Sequence, residues 1–170
     1  MSETSRHRDR FTKYTKGMGI DIGYGGAPIN DTAITMDMQS MYVDYDGKPQ
    51  NLFGDARHLY WFKDGVLDHV YSSHLIEDFE DTKSVLKEWI RIIRIGGYLC
   101  LLFPDEQRYR ASEKPEYWNL SHKHMDMGLK YMLDILYKIP EVTVIEYAEM
   151  FDDNDYNCMI VCRKDKHGTL

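Results

Sequence analysis

No stretch of this sequence approaches the roughly 20 apolar residues needed to cross a bilayer. The opening residues, Met1-Ser2-Glu3-Thr4-Ser5-Arg6-His7-Arg8, also lack the apolar centre of a secretory signal, so a cytoplasmic location is expected. Cysteine is scarce, with only Cys100, Cys158 and Cys162 in 170 residues. All three lie in apolar, strand-like runs, and Cys158 and Cys162 have the even spacing of one strand face. With no His or Cys partner at ligand spacing, they read as buried free thiols and no metal site is expected. An excess of basic charge is missing too. A net charge of −7 argues against wholesale binding to nucleic acid, whose affinity is carried by cationic surface. Internal repeats and low-complexity segments are absent.

What is present is one domain's worth of chain, with 43% hydrophobic and 13% aromatic residues. Any active site must therefore be built from loops of a single fold, here expected over residues 17–165. The charge is uneven: Arg6, Arg8, Arg10, Lys13 and Lys16 crowd residues 1–16, whereas Asp152, Asp153 and Asp155 stand near the other end. Two readings of this basic arm stand side by side. It is a solvated, partly disordered terminus, or a flap that closes over the site and meets a substrate phosphate or carboxylate.

The chain is organised around Gly17-Met18-Gly19-Ile20-Asp21-Ile22-Gly23-Tyr24-Gly25-Gly26, a buried strand ending in a sharp turn that something must approach closely. Between Gly25 and Asp37, Gly26, Pro28, Asn30 and Asp31 break or cap helices, so the link to the second strand, Ile34-Thr35-Met36, is a loop. Residues 39–54 read as an excursion of loop and one helical turn, with Asp46-Gly47 and Lys48-Pro49 as turn signals. Leu67–Ser73 is a strand. Asp81–Ile95 is the clearest helix, with Val85, Leu86, Trp89, Ile92 and Ile93 on one stripe and Gly96-Gly97 as its stop. Tyr98–Phe103 is nearly unbroken in its apolarity, as in a strand covered on both faces. A long polar loop, Pro104 to about Lys123, precedes a second helix at about Asp126–Tyr137. Val142–Tyr147 and Asn157–Cys162 are two last strands suited to an antiparallel pair. Strands alternating with helices make an α/β domain with a mostly parallel sheet and an antiparallel last strand.

Asp21-Ile22-Gly23-Tyr24-Gly25-Gly26, Asp37, Gly54-Asp55-Ala56, Ser72-Ser73-His74-Leu75-Ile76-Glu77-Asp78-Phe79 and Arg94-Ile95-Gly96-Gly97-Tyr98-Leu99 occur in the order found in class I S-adenosylmethionine-dependent methyltransferases. The chain resembles that family from about Gly17 to Asp105 and more loosely beyond. Within it, the likeness is to small methyltransferases associated with sugars and cell-surface polysaccharides, which also shorten the link after the glycine turn and follow the fifth strand with Pro-Asp, here Pro104-Asp105. The resemblance implies a three-layer Rossmann-like fold and S-adenosylmethionine as cofactor. It places Asp21 near the methionine amine, Gly23, Tyr24 and Gly25 at the methionine tail, Asp37 on the ribose hydroxyls, Met38 and Ala56 on the adenine, Asp55 on the adenine amine, and Ser72 and Ser73 beside the cofactor. Two positions depart from the pattern. Tyr24 replaces a small residue, either lying over the cofactor tail or altering the pocket, and Asp78 stands where the subgroup often has His.

The residues themselves allow a rival reading, since glycines of this kind also serve NAD. That fingerprint needs a helix starting at the turn to receive a pyrophosphate, which the segment around Pro28 does not supply, and it needs no acid at Asp55. For a hydroxyl acceptor a base must remove the proton. His74 is the first candidate for base or substrate contact; its plain alternative is packing beside the cofactor. Glu77 and Asp78 read as helix-start acids. His122 and His124, on one side of an extended segment, bind a substrate or a metal with an acid such as Asp126 or Glu106, or one of them serves as base in the substrate pocket, or His122 merely enters the helix; a dedicated metal site is not expected, since the carboxylates lack a defined spacing. Arg108, Tyr109 and Trp118 form either a lid for a sugar or phosphate or a surface loop that uses its aromatics for packing. The absence of an Asn/Asp-Pro-Pro-Tyr segment argues against methylation of DNA bases or amide nitrogens. The expected function is therefore O-methylation of a small-molecule or glycan acceptor, with a homodimer allowed. The alternatives are a methyltransferase-fold binding or regulatory protein and a nucleotide-dependent oxidoreductase.

Overall fold

The apolar run at the centre of the chain forms the middle of a seven-stranded sheet. The computed structural model describes residues 2–38, 49–152 and 155–166, so the turn signal Asp46-Gly47, Lys48 and Asp153 lie outside the described residues. The strands are β1 (Gly19–Ile22), β2 (Ile34–Asp37), β3 (Leu52–Phe53), β4 (Leu67–Ser73), β5 (Ile93–Pro104), β6 (Val142–Asp152) and β7 (Asp155–Lys164), in the order β3-β2-β1-β4-β5-β7-β6. The first five run parallel, and β7 pairs antiparallel with both β5 and β6. This is the α/β Rossmann-like arrangement expected, with its reversed last strand.

Strand periodicity sends alternate side chains to two separate cores. Leu99, Leu101, Phe103, Cys158, Ile160 and Cys162 face one; Tyr71, Cys100, Leu102, Met159 and Val161 face the other. All three cysteines are buried and free, and Cys158 and Cys162 share a face. The first core is covered by α2 (Thr82–Ile92) and α4 (Leu129–Leu136), through Val85, Leu86, Trp89, Met132 and Leu136.

The second face is covered differently. Residues 23–33, between β1 and β2, contain no helix, and their Ile29 and Ala33 reach only part of the sheet. The rest falls to α1 (Glu3–Phe11), whose Phe11 is fully buried and meets Tyr71 edge-on at 5.1 Å. The segment expected to be either a solvated terminus or a flap is thus a helix packed as a structural layer. Ser2 caps it, accepting from Ser5 N–H at 3.1 Å, and its buried residues Thr4, His7 and Phe11 stand at helical spacing.

Other boundaries shifted for local reasons. α2 begins at its Asp81 cap but ends at Ile92, because Ile93 already pairs with Leu67 in the sheet. Its last carbonyls are closed from outside: Lys164 Nζ donates to the carbonyls of Ile90, Arg91 and Ile93 at 2.9, 3.0 and 2.7 Å. A cation at a helix C-terminus also suits the helix dipole. The expected long loop contains α3 (Glu106–Ser112), started by Asp105, which accepts from Arg108 N–H at 3.0 Å. The expected excursion before Gly54 contains the two-residue strand β3.

Lys164→Met keeps the buried stem and removes three charge-assisted bonds. It is expected to lower the unfolding free energy by about 2–3 kcal/mol, read as a lower urea midpoint with an unchanged far-UV spectrum. An unchanged midpoint would show that the carbonyls find other partners.

Candidate active site

In an open α/β sheet, ligands bind in the crevice beyond the carboxyl ends of the strands where the order reverses, here between β1 and β4. The chain leaves β1 through Gly23, whose φ is 73° and whose N–H donates to the Met36 carbonyl at 2.8 Å. A side chain there would meet the Leu75 methyl at 2.8 Å. Gly25, at φ 55°, is the opposite case: nothing lies within 4 Å of where its Cβ would be. The space over the turn is open.

Two carboxylates lie near that turn. At the end of β2, Asp37 accepts Gly25 N–H on Oδ2 at 3.2 Å and Met38 N–H on Oδ1 at 2.8 Å. Each oxygen retains acceptor capacity, as a pair of ribose hydroxyls requires. Burial raises its pKa, opposed by those two N–H groups. Asp21, in β1, is fully buried; Oδ2 accepts Ile29 N–H at 2.6 Å, while Oδ1 has no partner. Burial pushes its carboxyl up to about 8. Such an orphaned oxygen suits a cationic amine.

The other expected cofactor contacts are spread around this turn. Met38 is 63% exposed and Tyr24 is buried. Asp55 is engaged by its neighbour Arg57, whose guanidinium donates to both carboxylate oxygens at 2.6–3.0 Å and lowers the acid's pKa. Ala56 is buried, its carbonyl accepting Trp89 Nε1–H at 2.8 Å. Ser72 donates to the Ile22 carbonyl at 2.9 Å, tying the ends of β4 and β1, and Ser73 is buried beside it.

Beyond β4, His74 adopts φ 51°, a conformation uncommon outside glycine. Its side chain is 22% exposed. Nε2 lies 2.5 Å from Asn157 Oδ1, and Nδ1 lies 3.7 Å from Glu77 Oε1. Burial lowers its pKa, which favours the neutral ring. Glu77 is 1% exposed and neither of its oxygens has a hydrogen-bond partner. Burial raises its pKa well above the usual carboxylate range. On its far side stands His122, with Nε2 at 3.8 Å from Glu77 and Nδ1 at 2.7 Å from Glu106 Oε2; Glu106 in turn accepts Arg110 Nε–H at 2.5 Å. The result is a row, His74, Glu77, His122, Glu106 and Arg110, whose two glutamates are fully buried.

The expected pair His122 and His124 separates. His124 Nε2 faces the Phe79 carbonyl at 2.8 Å and Thr82 at 3.1 Å, and Nδ1 faces Tyr131 at 3.1 Å, bracing the loop against α2 and α4. Of the lid candidates, Tyr109 packs against His122 with ring centres 5.1 Å apart and the planes tilted by 43°. Arg108 lies over the Phe151 ring at 3.9 Å, and Trp118 under Arg110 at 4.6 Å. Sequence reasoning gave Glu77 only a helix-start role and missed Asn157. The available signal for Asn157 was a lone amide heading the apolar run Cys158–Cys162.

Fold and crevice together define a Rossmann-like α/β enzyme scaffold. A family profile described as a methyltransferase domain matches residues 20–101. A S-adenosylmethionine-dependent methyltransferase from Archaeoglobus fulgidus shares the fold with a TM-score of 0.72 at 18% identity, over 95% of this chain and 92% of that one. The protein bound to the Trm112 methyltransferase activator in a complex from Haloferax volcanii gives 0.71 at 14% identity, over 98% and 90%. A S-adenosylmethionine-dependent methyltransferase from Aquifex aeolicus gives 0.63 at 11%, over 94% and 88%. No curated protein sequence matches the chain. The profile falls on the segment that builds the crevice, so residues 20–101 carry a methyltransferase domain, and the fold is that of solved S-adenosylmethionine-dependent methyltransferases. The residues fit the cofactor: an orphaned acid for an amine, an open glycine turn, and Asp37 with acceptors to spare.

The raised Asp21 pKa has a testable sign. Between about pH 4 and 8 the native state holds a proton that the unfolded chain has lost, so stability falls as pH rises through that window. Asp21→Asn should flatten the fall. Urea titrations of both proteins at pH 5, 6.5 and 8 check it, and parallel curves would refute it.

Proposed function

We propose that this chain is an S-adenosylmethionine-dependent methyltransferase acting on a hydroxyl oxygen of a small-molecule or sugar acceptor, with His74 as general base. The observation that carries the reading is the partly exposed imidazole at the end of β4, held by Asn157 and standing beside the row that runs through Glu77 and His122 to Glu106; burial favours its neutral form. A hydroxyl must lose its proton as it attacks, and a neutral imidazole can take it. In this reading Asp21 receives the cofactor amine, the N–H groups of the Gly23–Gly25 turn its carboxylate, and Asp37 its ribose hydroxyls. Met38, Asp55 and Ala56 border the adenine, and Ser72 and Ser73 keep the ends of β1 and β4 in register. When bound, S-adenosylmethionine supplies an electrophilic methyl on a sulfonium, so the chain's own task is to orient the acceptor and hold its proton. Tyr109, packed against His122, shapes the acceptor side from within, and the exposed Arg108 guanidinium suits a phosphorylated acceptor. His122 and His124 remain near the acceptor side, the former as second base and the latter as a brace.

Calorimetry with S-adenosylmethionine and S-adenosylhomocysteine, followed by transfer of labelled methyl to a panel of sugars and small alcohols, tests this. Asp37→Ala should weaken cofactor binding at least about tenfold, one lost charged hydrogen-bond partner. His74→Ala should leave binding nearly unchanged and slow transfer by about 10²–10⁴-fold. The wild-type rate should fall in acid, below the ordinary histidine value of about 6.5, because the His74 pKa is lowered. Transfer that goes only to nitrogen, or that ignores His74, would overturn the proposal.

A further inference from the structure

We infer that Asn157 fixes which nitrogen of His74 can act as the base, and that α1 is a working part of the active site because it holds Asn157 in place. The inference rests on the reading of His74 as base. An amide side chain has a donor end and an acceptor end, and its neighbours decide which way it points. Asn157 Nδ2 lies 2.7 Å from Glu3 Oε2 and 2.7 Å from Asp155 Oδ1. Carboxylates only accept, so the NH2 end must face them; the reverse orientation would set a carbonyl oxygen against two acids. Asn157 N–H, donating to Asp155 Oδ1 at 2.9 Å, holds the same acid in place.

The acceptor end, Oδ1, is therefore turned to His74 Nε2 at 2.5 Å. An oxygen without a proton needs a donor, so Nε2 carries the hydrogen of the neutral ring. The lone pair is left on Nδ1. Glu77 Oε1, at 3.7 Å, is too far to claim it by a direct bond. His74 thus presents Nδ1 as its proton acceptor, and the proton it gains there makes an imidazolium whose other N–H is already bound.

The anchor comes from the first helix. Glu3 and His7 are one turn apart on α1; His7 Nε2 reaches Asp155 Oδ2 at 3.0 Å and lies 3.3 Å from Asn157 Nδ2. Glu3, His7 and Asp155 surround the amide, and Asn157 is itself fully buried. A packing layer had no need of these groups: Phe11 supplies the apolar contact, while Glu3 and His7 sit at the other end of the helix, against β7.

The experiment labels histidine with 15N and reads the two ring nitrogens of His74, assigned by their loss in His74→Ala. The wild type should show the Nε2–H form. Asn157→Ala should give a mixture of tautomers and lower kcat by about 10- to 100-fold, with cofactor affinity within about twofold. Glu3→Ala, at a partly exposed position and without risk to the β7 strand, should move both readouts the same way by a smaller factor. A wild-type Nδ1–H ring, or an unchanged spectrum and kcat in both variants, would overturn the inference. If His74→Ala keeps full activity while the wild-type ring is Nε2–H, the base assignment fails and the tautomer assignment stands.

Discussion

A mainly parallel sheet must be covered on both faces, and this chain meets that constraint with very little material on one of them. The contact of Phe11 with Tyr71 closes the face that residues 23–33, without a helix, leave partly open. Its consequences reach far from the two rings. Fixing α1 there delivers Glu3 and His7 to the end of β7, where they hold Asn157. Structural covering and preparation of the site are one act.

The site divides its labour by strand. β1 and β2 end in N–H groups and acids suited to an amine, a carboxylate and ribose hydroxyls. β4 ends in His74 and leads into Glu77, and α3 supplies Glu106 and Tyr109 from the far side. Buried acids are expensive unless neutral or paired, and here both solutions appear. Asp21 and Glu77 shift toward the protonated form, whereas Glu106 is bound by His122 and Arg110. That pattern keeps opposite demands apart within a single crevice.

The sheet was legible because its signals are local. Unbroken apolarity marked β5, glycines marked the turn after β1, and helical spacing marked α2. α1 was not legible as a layer: its buried face is made of Thr4, His7 and Phe11, only one of which is apolar, so periodic hydrophobicity said nothing. The ends of α2 and β5 were misplaced because Ile93 is drawn into the sheet by Leu67 and the helix end is capped by Lys164, 71 positions from Ile93, neither of which is local to the segment. In the site, Asp37 and His74 could be named from motif position. Their environment could not: the separation of His122 from His124 depends on Phe79, Thr82 and Tyr131, and Asn157 acquires a role only through contacts with other elements.

The bond between Glu3 and Asn157 spans 154 positions of chain. Contacts of that reach form late, since loop closure must precede any reward. As the chain leaves the ribosome, the glycine turn and both flanking acids are available long before β7 is made, so a nascent domain could hold its cofactor side well before His74 is braced. The bond that braces His74 is therefore made only with the β6–β7 hairpin, after every other part of the crevice has been synthesised.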